Sequence, residues 1–233
     1  MIGYGQDIGY ILIAGLFSVI GMYVSGKLKA KFKKYSRVRL SAGMTGRDVA
    51  EAMLRHYGIQ DVRVVQGQGM LTDHYNPATK TVSLSPAVYQ QDSVSAAAVA
   101  AHECGHAVQH ATAYSLLRFR SNIVPLVQIS AKFQQWALII AFLLLNQFPA
   151  IMLITIGLFA VTALFSLITL PVEFDASRRA LAWLDQTGTA QGQEYEGAKD
   201  ALHWAAMTYV ASALSALVMV AYLALRYMSA TRN

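Results

Sequence analysis

The sequence predicts an α-helical membrane protein with about four transmembrane helices and one small α+β body. Of its 233 residues, 55% are hydrophobic and only 14% are charged, which is too apolar for an ordinary soluble domain. The apolar residues are also clustered into uncharged runs, and polar segments rich in turn-forming residues separate these runs. Membrane-spanning helices joined to a compact polar body account for both observations.

Three uncharged runs are each long enough to cross about 30 Å of hydrocarbon, namely residues 8–25, 149–170 and 205–225. A fourth run, residues 133–148, is shorter, and we interpret it as the end of a longer helix that begins outside the bilayer. Buried helices of a soluble core are the alternative for each run. The length of the uncharged runs argues against that alternative.

The charge distribution predicts how the chain is oriented in the cell membrane. Seven basic residues follow the first run directly, within residues 27–39, whereas no basic residue precedes it. By the positive-inside rule, this end faces the cytoplasm and the N-terminus lies outside, although Arg226 and Arg232 would then also lie outside. The first run lacks the features of a cleaved signal peptide. The net charge of +6 therefore favours the lipid bilayer over nucleic acid as partner.

A metal-binding pattern lies in the polar body at Ala-His-Glu-Cys-Gly-His, residues 101–106, which contains H-E-x-x-H. On a helix, His102 and His106 project from one face and can bind a single metal ion, typically zinc. Glu103 lies about 100° round the helix, where it can take a proton from a water bound to that ion. Gly105 leaves room for another element to approach this face. The alternative is a coincidental pair of core histidines.

The flanking residues predict that this pattern lies on a helix. Asp92 or Ser93 can cap it, and a run without proline continues to Phe119. His110 would lie about 12 Å along the axis from His102, and Cys104 points about 200° away from it. We therefore expect neither to be a ligand. A single cysteine also permits no internal disulfide, which fits a reducing compartment.

The rest of the body reads as one helix and two strands. Residues 45–48 resemble a capping box that starts a helix, and Gly58 ends it. Residues 61–66 and 81–84 alternate as strands do. The second strand is a candidate exposed edge for an extended peptide, or else a buried strand. The segment 71–77 between them is predicted to be a turn.

A catalytic zinc ion needs a third protein ligand, and Glu173 is the best candidate on topological grounds. The spans on either side of the uncharged tip 146–149 form a hairpin that returns the chain to the side where it left. Pro171 and the acidic residues after it are predicted to open a new helix, with a loop at 186–193 and a last helix from Glu194. The alternative is that Glu173 merely favours a helix N-terminus.

Three segments resemble the YugP-like neutral zinc metallopeptidases and, more distantly, the HtpX and Ste24 membrane zinc proteases. They are Leu-Thr-Asp-His-Tyr-Asn-Pro at 71–77, Val-Ala-Ala-His-Glu-Cys-Gly-His at 99–106, and Leu-Pro-Val-Glu-Phe-Asp-Ala-Ser at 170–177. The resemblance implies a zincin-like body, Zn²⁺ as cofactor, His102, His106 and Glu173 as ligands, and Glu103 as the catalytic residue. The larger families carry an aspartate where Ser177 stands, and Asp175 lies on the wrong helix face to replace it directly.

The predicted function is that of a membrane-bound zinc-dependent metalloendopeptidase with a gluzincin-like third ligand, acting on a protein or peptide. His74, Tyr75 and Ser177 are candidates for one of two roles. Each could hydrogen-bond to a metal-binding residue without binding the metal itself, or could stabilise the oxyanion. The alternatives are an intramembrane zinc protease and a non-catalytic membrane adaptor that holds zinc.

The predicted organisation has five segments. They are a transmembrane anchor (1–26), a cytoplasmic body with the histidine helix (27–120), a transmembrane hairpin (121–170), the third-ligand helix and loop (171–206) and a C-terminal transmembrane helix (207–233).

Overall fold

The structure, a computed structural model, describes residues 4–145 and 147–232. Residues 1–3 of the predicted anchor and Asn146 of the predicted hairpin tip lie outside the described residues. The elements in chain order are α1 (Tyr4–Tyr35), α2 (Gly46–His56), β1 (Arg63–Gln66), β2 (His74–Asn76), β3 (Thr81–Leu84), α3 (Pro86–Tyr89), α4 (Val94–Ala111), α5 (Ser115–Leu144), α6 (Ala150–Gln186) and α7 (Gln193–Thr231).

Within the part of the chain that the structure describes, four helices are long and apolar enough to cross a membrane: α1 from Ile8 onward, α5, α6 and α7. The prediction of a mostly helical chain with about four candidate membrane-spanning helices is therefore confirmed. The short fourth run is the end of α5, which begins at Ser115, as expected for a helix that starts well before its apolar part.

The chain divides into two compact units. The first comprises the described residues within 1–24, 119–170 and 208–233. Leu138, Met152 and Leu223 lie in its apolar core. Other large apolar side chains of this unit are exposed, including Trp136 and Ile154, which is how helices that face lipid behave.

The second unit comprises residues 25–118 and 171–207 and contains the sheet. The strand order is β1-β3-β2, with β1 parallel and β2 antiparallel to β3. For residues 81–84, the central position of β3 makes the exposed-edge alternative wrong and the buried-strand alternative right, since Val82 and Leu84 are fully buried. Strand β2 occupies an edge instead. The segment 71–77 was predicted as a turn. A three-residue strand is too short to show alternation, and β2 forms because Tyr75 pairs opposite Val82.

Helix α2 begins as the sequence predicts. The Thr45 hydroxyl accepts the N–H of Asp48, and the Asp48 carboxylate accepts the N–H of Thr45, which completes the capping box. Gly58 follows the helix with a positive φ of 67°. Val49 and Met53 are fully buried in the core of this unit.

Helix α4 is shorter than predicted. Ser93 caps it by accepting the N–H of Ala96. The helix ends at Ala111 rather than continuing to Phe119, because Ala113 adopts a positive φ of 54° and redirects the chain before α5. No proline or glycine marks this break, so sequence periodicity could not reveal it.

Helix α6 runs unbroken from Ala150 to Gln186 with Pro171 inside it. The prediction that Pro171 starts a new helix is therefore wrong. A proline within a helix removes one hydrogen bond and costs about 3 kcal/mol, so packing of the surrounding residues must offset it. The loop after α6 contains Gly188 and Gly192, both with positive φ, and α7 begins beside the predicted Glu194.

Candidate metal centre

Helices α4 and α6 bring three potential metal ligands together in the second unit. The Glu173 Oε2 atom lies 3.2 Å from His102 Nε2 and 3.5 Å from His106 Nε2. The ligand atoms of the three residues all lie within 4.8 Å of one another, and their side chains are 3–14% exposed. Two atoms that bind a tetrahedral zinc ion at 2.0–2.1 Å lie about 3.3 Å apart. The donor types and the two separations from Glu173 therefore fit zinc.

Gly105 allows α6 to approach α4 this closely. A Cβ atom at this position would lie 2.5 Å from the carbonyl oxygen of Ala176. Glu173 and Ser177 lie on either side of Ala176 on α6, so the contact places both against the histidines. The sequence predicted that Gly105 leaves room for an approaching element, and in the structure that element is α6.

The second nitrogen of each histidine has its own partner. His102 Nδ1 lies 3.1 Å from Ser177 Oγ, and His106 Nδ1 lies 3.0 Å from Gln109 Oε1. Such bonds fix the orientation of the rings and leave Nε2 available to a metal. Ser177 thus contacts His102 at the position where the larger families carry an aspartate.

Gln109 is a residue that sequence reasoning did not identify. It is fully buried, and its Nε2 donates to the Val172 carbonyl at 2.8 Å and to Asp175 Oδ2 at 2.9 Å. Because both of these oxygens can only accept, the amide must present Oε1 to His106, whose Nδ1 then carries the proton. Its position three residues after His106 on one helix face was the only sequence signal.

Asp175 joins the same network. Its carboxylate accepts hydrogen bonds from Arg178 and Arg179 besides the bond from Gln109. It does not replace the missing aspartate beside His102, as its position on the helix predicted. It reaches His106 instead, through Gln109.

Glu103 lies outside the group of three potential ligands, with its carboxylate facing β2. Its Oε2 accepts the backbone N–H of Tyr75 at 2.9 Å, and the residue is 8% exposed. The Tyr75 hydroxyl lies 2.7 Å from Nδ1 of His110 on the same α4 helix. Burial raises the pKa of Tyr75 to about 12. Tyr75 therefore contacts α4 at two points, one of them the glutamate of the motif.

The other predicted or excluded residues lie apart from this cluster. His74 is exposed, and its Nδ1 lies 2.8 Å from the Thr72 carbonyl oxygen. Cys104 is fully buried against Ala50, and burial raises the pKa of its thiol, so it remains protonated. Among the described residues, His110 is not part of the metal-ligand group.

The charge of Glu173 acts on His106. Burial lowers the pKa of His106, but the hydrogen bond and negative charge of Glu173 raise it by more, so the net pKa lies above the ordinary value. Without a metal, the site therefore holds a proton more firmly than a free histidine does. A metal ion must displace that proton in order to bind.

The chain is similar to known proteins over most of its length. A family model described as "Putative neutral zinc metallopeptidase" matches residues 10–228. The chain is 41% identical over 198 residues to "Putative membrane protease YugP" of Bacillus subtilis (strain 168), an alignment that covers 85% of this chain and 87% of that protein. No solved structure matches the chain significantly.

Proposed function

Since the chain belongs to the "Putative neutral zinc metallopeptidase" family, we propose that it is a membrane-bound, zinc-dependent metalloendopeptidase. The observation that carries this proposal is the convergence of His102, His106 and Glu173. The Glu173 Oε2 atom lies 3.2–3.5 Å from the Nε2 atoms of the two histidines. The histidine helix, an adjacent edge strand and a separate helix with the third ligand together support a zincin-like body with a gluzincin-like site.

His102, His106 and Glu173 would hold the zinc ion through their Nε2 and carboxylate oxygen atoms. When bound, zinc supplies a Lewis acid that polarises the scissile carbonyl and lowers the pKa of water to about 7. Ser177 and Gln109 keep the two imidazoles in position from the other side of each ring. These two contacts reduce the cost of ordering the ligands when the metal arrives.

Glu103 acts as the general base in this proposal. It follows His102 on α4, is nearly buried, and is oriented by the Tyr75 N–H. A carboxylate at this place can accept a proton from the attacking water and pass it to the leaving amine. Because the Tyr75 hydroxyl already pairs with His110, we assign Tyr75 the role of orienting Glu103 through its N–H. His74 then remains the candidate for a hydrogen bond to the oxyanion.

The substrate would be an extended peptide along the free side of β2. This strand lies at an edge of the sheet, and the Tyr75 N–H points away from β3 toward Glu103. An extended segment adds to such an edge by main-chain hydrogen bonds. Glu103 would then lie beside the peptide bond that is cleaved.

The decisive experiment is the Glu103→Gln variant of the full chain, purified in detergent and loaded with zinc. We expect one zinc ion per chain by metal analysis and loss of casein or peptide cleavage. The control is Glu196→Gln, which changes an exposed glutamate of α7 and should keep both. Proteolysis that persists in Glu103→Gln would refute the role of this residue.

Variants of the ligands test the metal site itself. His102→Ala, His106→Ala and Glu173→Ala should each lose zinc. Full zinc content in Glu173→Ala would remove that residue from the ligand set. A wild-type chain that holds zinc but cleaves no substrate would indicate an adaptor, and cleavage confined to substrates within the bilayer would indicate an intramembrane protease.

The proposed orientation places the N-terminus outside the cell membrane and the metal centre on the cytoplasmic side. The basic residues 27–39 after the first apolar run support this. Two exposed positions test it, Thr79→Cys in the body and Gln147→Cys in the connection between α5 and α6. In intact cells, a membrane-impermeant thiol reagent should label only Gln147→Cys. Labelling of Thr79→Cys alone would show that the orientation is the reverse of the proposed one.

A further inference from the structure

A small apolar cavity lies in the second unit beside the histidine helix. Its volume is about 170 Å³. Four segments contribute to its wall: α1, the segment before β2, α4 and α7. Its apolar lining includes Leu28, Phe32, Leu71, Val99, Ala201 and Ala205.

Two of the elements that line the cavity also carry residues of the candidate metal centre. Val99 precedes His102 by three residues on α4, so it lies on the same helix face and about 4.5 Å away along the axis. Leu71 and Asp73 lead directly into β2, whose Tyr75 N–H binds Glu103. The helix that carries a ligand and the segment that enters the edge strand thus both form walls of the cavity.

The chemistry of the wall selects an apolar occupant. Asp73 is the ionisable residue among those that line the cavity, and its carboxylate accepts the Ser85 N–H at 2.7 Å and the Ser85 hydroxyl at 3.1 Å. The remaining wall consists of aliphatic side chains and the ring of Phe32. A polar occupant would lose its hydrogen bonds to water here without replacement.

The size of the cavity limits the occupant to one side chain. Pockets for cofactors and drug-sized ligands occupy about 300–1,000 Å³, well above the volume of this one. Ala201 and Ala205 lie one helical turn apart on α7, and their small side chains keep the space open. Leu71 is about half exposed and offers apolar surface at the cavity.

We propose that this cavity is a specificity subsite that takes one large apolar side chain of the peptide substrate. This inference rests on the proposed peptidase function. Successive residues of an extended peptide advance about 3.3 Å and point to alternate faces. A peptide along β2 would therefore place one side chain in the cavity, at a position within about two residues of the cleaved bond. The enzyme cleaves beside leucine, methionine or phenylalanine in preference to charged residues or glycine.

The test is cleavage-site profiling with a mixed peptide library and the zinc-loaded full chain in detergent. Mass spectrometry of the products should give at least a tenfold preference for large apolar residues at one position near the cleaved bond. In Ala205→Leu, which fills the cavity from α7, that preference should shift to alanine or glycine. The control is Ala87→Leu, at an exposed position of α3, and it should retain the wild-type profile.

A second variant keeps the proposal open to refutation if Ala205→Leu does not fold. Val99→Ala enlarges the cavity from α4 and should shift the preference toward phenylalanine and tryptophan. Cleavage without an apolar preference, or a preference that neither variant changes while zinc content is normal, would overturn the subsite. Absence of any cleavage by the zinc-loaded wild-type chain would instead refute the proposed function.

Discussion

The two histidines of the candidate metal centre are held in different ways. His106 is backed by Gln109, a fully buried amide that uses its oxygen and both of its amide hydrogens. His102 is backed by a single hydroxyl, that of the half-buried Ser177. Both side chains hydrogen-bond to the Nδ1 atom of a histidine, but Gln109 is sealed from water and Ser177 is not. Water can replace a lost partner on the Ser177 side, whereas a group left unpaired on the Gln109 side stays unpaired.

The two sides also differ in what they connect. Ser177 joins one residue of α6 to one histidine of α4. Gln109 joins His106 to the carbonyl of Val172, the residue immediately before Glu173, and to Asp175 beyond it. The buried amide therefore sets the position of one candidate ligand, His106, relative to another, Glu173. We expect the centre to depend on Gln109 far more than on Ser177.

Gly105→Ala should have the largest effect, because it disturbs both sides together. The added methyl would lie 2.5 Å from the backbone carbonyl of Ala176, and a backbone atom inside a helix cannot move aside alone. α6 would shift, and Glu173 and Ser177 would shift with it. We expect loss of stoichiometric zinc and a melting temperature lowered by several degrees, measured by metal analysis and thermal unfolding in detergent.

Gly157→Ala is the matched control for this change. It lies on α6 where an added Cβ would meet nothing within 4 Å, so zinc content should stay at the wild-type level. If Gly105→Ala also bound zinc normally, close contact between the two helices would not be what assembles the site.

Gln109→Leu should break the His106 side alone. The substitution keeps the approximate volume but removes the acceptor for His106 and the donors for Val172 and Asp175. Loss of such a supporting bond typically lowers metal affinity 10–100-fold, and burial places this variant at the upper end. Competition with a chelator of known affinity measures it.

Two comparisons separate positioning from simple loss of stability in Gln109→Leu. Gln91→Leu changes an exposed glutamine of the same unit and should bind zinc as the parent does. Thermal unfolding of the metal-free Gln109→Leu chain should show a loss of unfolding free energy that is smaller than the loss of zinc-binding free energy. A fall that accounts for the whole loss of affinity would make Gln109 a structural residue only.

The contrast between the two sides also marks how far the sequence could lead. The spacing of His102 and His106 and the capping box before α2 are local patterns, and helix geometry alone predicts what they form. Glu173 could be proposed because a hairpin of two spans constrains where the chain returns. Gln109 could not, since a glutamine on a helix has many possible partners until α6 is packed against it.

The errors in predicted structure have the same origin. Pro171 is a helix-opening signal by itself, yet α6 continues through it because the residues on both sides pack as one helix. The three residues of β2 become a strand only by pairing with β3. Both predictions, a helix start at Pro171 and a turn at residues 71–77, followed from local propensity. The structure adopted at both places depends on tertiary contacts.

The pH dependence of zinc binding should sharpen the comparison. Burial lowers the pKa of His106, but Glu173, then the charge of Glu103 and the hydrogen bond to Gln109 together raise that pKa above its ordinary value. Below that pKa, zinc must displace a proton, so apparent affinity should fall about tenfold per pH unit. Gln109→Leu should move the onset of this fall to lower pH, although its affinity at neutral pH is weaker. An unchanged onset in that variant would contradict the assigned contact.

Ser177→Ala should have the smallest effect. The hydroxyl lies 3.1 Å from His102 Nδ1, and the half-buried position lets a water molecule take its place. Loss of a hydrogen bond that water can replace costs about 1 kcal/mol, or about fivefold in zinc affinity. The same chelator competition measures it, and the pH at which affinity begins to fall should match the parent. If Ser177→Ala lost as much affinity as Gln109→Leu, burial would not be what distinguishes the two sides, and the single hydroxyl would position its histidine as firmly as the whole amide network does.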